Sequence, residues 1–166
     1  YYQNVLRGRD GRLEEAAAWQ KLHAGFERGK RATNGDSLAE ATRSGWGAIM
    51  RIYWSGAAMF LKADARLRML SGGAQSLDTV LSAFHACCLD ASRSWRGREL
   101  FAAFDRISGY AIFTDLYDAH VPDGEFPDLA ETYAQLGLVP GTKTIELDPE
   151  APQSKVRVEI MQGPSP

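Results

Sequence analysis

Residues 49–70, IMRIYWSGAAMFLKADARLRML, form the longest apolar-periodic run in this 166-residue chain, and the fold reads outward from them. Ile49, Ile52, Tyr53, Gly56, Met59, Phe60, Ala63, Leu67 and Leu70 recur at three- and four-residue spacing, which predicts a long helix with that face buried. Gly56 sits in the middle of the face. A glycine costs a helix interior about 1 kcal/mol relative to alanine, so its place near Tyr53 implies close packing of a neighbouring element or close approach of a ligand. Ser71-Gly72-Gly73 provides a left-handed C-terminal cap. On the other side, Ser44-Gly45-Trp46-Gly47 interrupts regular structure, and Trp46 reads either as a plug over the core or as one wall of a cleft.

The flanking segments are also helical in pattern. Tyr1 to Leu6 reads as the tail of a helix that begins before this sequence, broken by Arg7-Gly8-Arg9-Asp10-Gly11. Leu13 to about Phe26 places Leu13, Ala16, Ala17, Leu22 and Phe26 on one face, with Glu14 and Glu15 at the positive end of the helix dipole. Residues 29–35, GKRATNG, read as a solvated basic loop, since the strand-loop-helix setting of a phosphate motif is missing. Ser37-Leu38-Ala39-Glu40 matches a capping box that opens a short helix. After the central helix, Ser76 caps a helix from Leu77 to about Asp90, and further helices carry Leu100, Phe101, Phe104 and Ile107, then Ile112, Phe113, Leu116 and Tyr117. Pro127-Asp128 opens another, with Leu129, Tyr133 and Leu136 inward and Gly137 past its end. Beyond Pro140 the period changes to two in residues 142–147 and 155–160, so these stretches are expected to pair as a hairpin or to join a sheet. The chain therefore reads as mainly α: a multi-helix domain over residues 1–139, followed by an extended tail or short β-hairpin over 140–166.

Composition narrows the function. With 45% hydrophobic and 24% charged residues the chain can bury a core, and a formal charge of -2 gives no basic footprint for nucleic acid. Lys62 and Asp64 break the best apolar run, well short of the roughly 20 residues a membrane span needs. The chain reads as soluble. Its first residues lack the features of a signal peptide. Adjacent Cys87 and Cys88 fit neither a disulfide framework nor a zinc spacing, and are expected to be reduced packing residues on a helix. His85 reads as a packed, hydrogen-bonded side chain.

From Tyr53 to about Leu138 the chain resembles the C-terminal helical part of the catalytic domain in the M61 glycyl aminopeptidase family, itself similar in plan to other gluzincin, thermolysin-like peptidases. The residues that carry the resemblance are YWSGAAMFLKADARLR, SGGAQSLDTVL, FDRISGY and AQLGL, in that order. YYQNVLRGRDG likewise resembles the stretch after the family's Glu-Gly-x-Thr helix, which carries the third zinc ligand. The resemblance implies that Tyr53 donates its hydroxyl to the oxyanion formed when zinc-bound water attacks a peptide carbonyl. Such donors contribute several kcal/mol to lowering a barrier. Trp46, Trp54 and Gly56 are the accompanying candidates for the substrate-cleft wall. The His-Glu-x-x-His motif is absent, for the only histidines are His23, His85 and His120, so the resemblance implies no metal ligand in this chain and zinc only in an active parent. At position 55 a serine stands where the family usually has a basic residue.

The expected function is that of a fragment of a zinc-dependent aminopeptidase, inactive alone, meeting peptide substrate through the full-length parent and able to self-associate through surface that the parent would cover. The alternative is a non-catalytic helical scaffold or binding module from a degenerate peptidase homologue. A helix-turn-helix DNA-binding reading lacks a basic recognition face.

Overall fold

The computed structural model describes residues 1–43, 45–89, 93–141 and 144–163, with the side chain of Trp46 outside that description. It is mainly helical with one small antiparallel sheet. In chain order the elements are α1 (Tyr2–Arg9), α2 (Glu15–Arg31), α3 (Leu38–Ala41), a 3-10 turn (Gly45–Ala48), α4 (Ile49–Ser71), α5 (Leu77–Cys88), α6 (Gly97–Ser108), α7 (Phe113–His120), α8 (Ala130–Leu136), β1 (Leu138–Pro140), β2 (Ile145–Leu147) and α9 (Ser154–Gln162). Among the described residues no helix is long and apolar enough to cross a membrane.

The long helix α4 is the axis of the fold, packed against α2 along much of its length and meeting α3, α5, α7 and α9. Its buried side differs from the apolar stripe. Arg51, Trp54, Ser55, Ala58, Leu61, Asp64, Ala65 and Arg68 are buried, whereas Ile49, Tyr53 and Leu70 are exposed. Two features explain the shift. Small residues at 55, 57, 58, 63 and 65 let neighbouring helices approach, and three charged side chains enter the interior because each finds polar partners there.

The glycines that admit close packing lie on α2. A Cβ at Gly25 would clash with the Trp54 ring at 2.1 Å, and one at Gly29 would stand 2.7 Å from the Phe126 ring, while a Cβ at Gly56 would meet no described atom within 4 Å. Gly56 is thus no packing contact among the described residues. Trp54 lies over the glycines of α2 with its ring edge-on to Phe26, centroids 6.0 Å apart. The same packing draws Gly29 into the helix, so α2 continues to Arg31 where a loop was expected.

Buried charge ties the ends of the chain to the centre. Asp64 accepts from the Tyr1 hydroxyl at 2.7 Å, from Arg68 Nε at 3.0 Å and from the backbone N–H of Leu77 at 2.9 Å. Asp78, at the start of α5, takes a bidentate grip from Arg9 at 2.8 and 3.0 Å and the Tyr2 hydroxyl at 2.9 Å. Burial and the Asp64 carboxylate together push the Tyr1 phenol far above its usual value. Arg51 does similar work for loops: it donates to Asn34 Oδ1 and the Gly124 carbonyl, each at 2.9 Å, and to the Asp36 carbonyl.

Local capping follows the sequence closely. Ser37 and Glu40 form the capping box of α3, Ser76 and Thr79 form that of α5, and Gly72 ends α4 with φ 61°. The C-terminal part departs from expectation. Residues 155–160 are helical, within α9, and the hairpin forms instead between Leu138–Pro140 and Ile145–Leu147, with Val139 opposite Glu146. The run KVRVEI satisfies either pattern, since Val156 and Ile160 are four apart, and packing against α1, α4 and α8 selects the helix. The second correction concerns Cys87 and Cys88, which are joined to each other by a disulfide at the end of α5.

Candidate functional site

Tyr53 lies just over one turn into α4. It is 51% exposed, and its ring stands edge-on to Trp54 with centroids 5.0 Å apart. Ile49 and Met50 are exposed one turn before it, and Gly56 opens onto empty space about one turn after. The Tyr53 hydroxyl makes no hydrogen bond with the described residues. Together these residues form an apolar strip at the N-terminal half of the central helix that no described residue covers.

Of the four sequence-derived candidates, the three whose side chains or backbone are described do not converge. Tyr53 and Gly56 share the open strip. Trp54, one residue on, is directed into the core, where Arg28 also stacks 5.1 Å from its ring. Trp46 lies in the 3-10 turn before α4, and its side chain falls outside the described residues. Ser55 is fully buried beneath the helix.

The three histidines are far from forming a metal site. His23 contacts the Tyr133 hydroxyl through Nδ1 at 3.2 Å, His120 approaches the Lys62 ammonium through Nε2 at 3.4 Å, and His85 lies exposed near the end of α5. Among the described residues no three His, Cys, Asp or Glu side chains group so as to hold a metal ion. Burial, and then the charge of Lys62, lower the His120 pKa from its ordinary value. Lys62 is itself lowered by burial and by Arg66, and donates to the Asp128 carbonyl at 2.9 Å.

A second feature escaped the sequence. His23, Phe26, Glu27 and Lys30 of α2 line a groove of about 390 Å³ whose opposite wall is Phe126, Pro127, Leu129 and Tyr133. Burial, followed by the charge of Glu27, raises the Tyr133 phenol well above its usual value, so the hydroxyl keeps its proton. The stripe at i, i+3, i+4 and i+7 on α2 was visible in the sequence. Its partners, a hundred residues away, were not.

No family model, curated protein or solved structure matches the chain.

Proposed function

We propose that this chain is the helical, metal-free portion of an M61-like zinc aminopeptidase, in which the Tyr53 strip forms one wall of the substrate cleft. The observation that carries the reading is the clustered exposure of Ile49, Met50 and Tyr53 at the N-terminal end of the central helix, where apolar side chains would ordinarily be covered. An apolar helix face with a free phenol in its middle is what a cleft wall presents when the opposite wall belongs to another segment. Gly56 fits the same role, since its missing side chain leaves room for that segment or for substrate beside Tyr53. In this role the Tyr53 hydroxyl donates a hydrogen bond to developing negative charge on the substrate oxygen. Metal and general base come from outside the chain.

The test is Tyr53→Phe in the protein that also carries the metal-binding segment. Loss of one oxyanion donor is expected to lower kcat by about 10²- to 10³-fold, with KM little changed, and wild-type kcat would remove the assigned role. The second reading, a non-catalytic binding module, draws on the same exposed strip. It predicts that Tyr53→Phe leaves partner binding intact while Tyr53→Asp abolishes it.

A further inference from the structure

The groove between α2 and the segment around Phe126 holds charged side chains that have no ion-pair partner among the described residues. Glu27 and Lys30 lie three residues apart on α2, about 4.5 Å along the helix axis, at a spacing where opposite charges ordinarily pair. Here neither makes an ion pair or a side-chain hydrogen bond with any described residue. Asp128, across the groove, spends one carboxylate oxygen on the backbone N–H of Ala130 at 2.9 Å. Aromatic surface lies beside these charges: Phe26 and Phe126 meet with centroids 6.5 Å apart, and the buried Tyr133 stands against His23 at 5.8 Å.

The walls are built to hold this shape. Phe126 reaches the floor only because Gly29 carries no side chain, and the Lys62 ammonium pins the opposite wall through the Asp128 carbonyl. The Tyr133 hydroxyl, when it donates to His23 Nδ1, leaves its oxygen free to accept a further hydrogen bond. A volume of about 390 Å³ lies in the range of small-molecule sites. The groove therefore offers acceptors for a cation at Glu27, Asp128 and the Tyr133 oxygen, a donor for an anion at Lys30, and ring surface beside both.

We propose that this groove binds a small zwitterion with an aromatic side chain, of the class of an aromatic α-amino acid. Its ammonium lies against Glu27 and Asp128, its carboxylate meets Lys30, and its ring packs on the partly exposed Phe126, which the buried Phe26 backs. The proposal stands on the groove alone and is independent of the role given to Tyr53.

Three ligands separate the contributions: L-phenylalanine carries both charges, phenethylamine only the cation and 3-phenylpropionate only the anion. In calorimetric titration of the whole chain, phenylalanine is expected to bind at least about tenfold more tightly than either analogue, as one charge-assisted contact is worth a factor of that size. Glu27→Gln should weaken phenylalanine and phenethylamine by about tenfold and leave phenylpropionate unchanged, while Lys30→Met should do the reverse for the two carboxylate ligands. Neither side chain is buried, so both variants are expected to keep the wild-type circular dichroism. Equal binding of the three ligands, binding indifferent to both substitutions, or no saturable binding at millimolar concentration would each overturn the assignment.

Discussion

Replacing Gly25 and Gly56 by alanine, one at a time, should move stability in opposite directions. Both glycines lie inside long helices, so both gain about 1 kcal/mol of helix propensity on gaining a methyl group. At Gly56 nothing opposes the gain, because the new Cβ meets no atom within 4 Å. At Gly25 the Cβ would lie 2.1 Å from the Trp54 ring, which is boxed in by Phe26, Tyr53 and Arg28. Overpacking of that kind costs about 1–3 kcal/mol when the core can adjust. Loss of a buried tryptophan's packing costs roughly 3–5 kcal/mol when it cannot. With the added Cβ only 2.1 Å from Trp54 ring atoms, the cost lies near about 3 kcal/mol, where the two ranges meet, so net of the propensity gain Gly25→Ala should destabilise by about 2 kcal/mol while Gly56→Ala stabilises by about 0.5–1 kcal/mol. The resulting gap of about 3 kcal/mol corresponds to roughly 6–12 °C in Tm for a chain of this size. Urea unfolding followed by circular dichroism, with m-values compared, measures it. A destabilising Gly56→Ala in the isolated chain, or a neutral Gly25→Ala, would refute the placement of Trp54 against α2 and return the close contact to Gly56.

Further outcomes follow from the buried charges and the missing metal set. Asp64→Ala strands the Leu77 N–H and the Tyr1 hydroxyl and leaves the Arg68 guanidinium only its 3.5 Å contact with Asp78, and should cost about 3 kcal/mol in chemical denaturation; Asp64→Leu paired with Arg68→Met should recover most of it. Asp78 should shape the acid limb of the stability curve. Burial opposes its charged form, but hydrogen bonds from Arg9 and Tyr2 and the nearby Arg68 outweigh that and hold the carboxyl below its usual value. With the folded pKa below the unfolded one, its contribution is full above about pH 4 and is lost as pH falls through the folded value, so Asp78→Asn should flatten that limb. The purified chain should carry no stoichiometric zinc by elemental analysis, and tight binding of zinc would overturn the assignment of all metal ligands to another segment.

What could be read from residue order was mostly local. The capping boxes at Ser37 and Ser76 and the glycine stop at Gly72 depend on side chains reaching backbone groups within a few residues, so short motifs disclose them. Stripes such as Leu77, Val80 and Phe84 point inward as expected. For the candidate site, the open Tyr53–Gly56 strip could not be read as open. Periodicity marks a face as apolar but says nothing about what covers it. Residues 155–160 posed the same difficulty in another form, because KVRVEI alternates as a strand yet also brings Val156 and Ile160 to one helical side.

The sequence alone determined that this would be a chain of capped, amphipathic helices around one long central helix, because propensity, caps and apolar spacing act over a few residues. The tertiary structure decided which side of that helix is inside. It turned Trp54 onto the glycines of α2, admitted Asp64, Arg68 and Arg51 to the interior, and left Tyr53 out. The reason is physical: a buried charge is tolerable only where distant partners converge on it, and a glycine matters only where another element comes close, and both conditions are set by residues far apart in the chain.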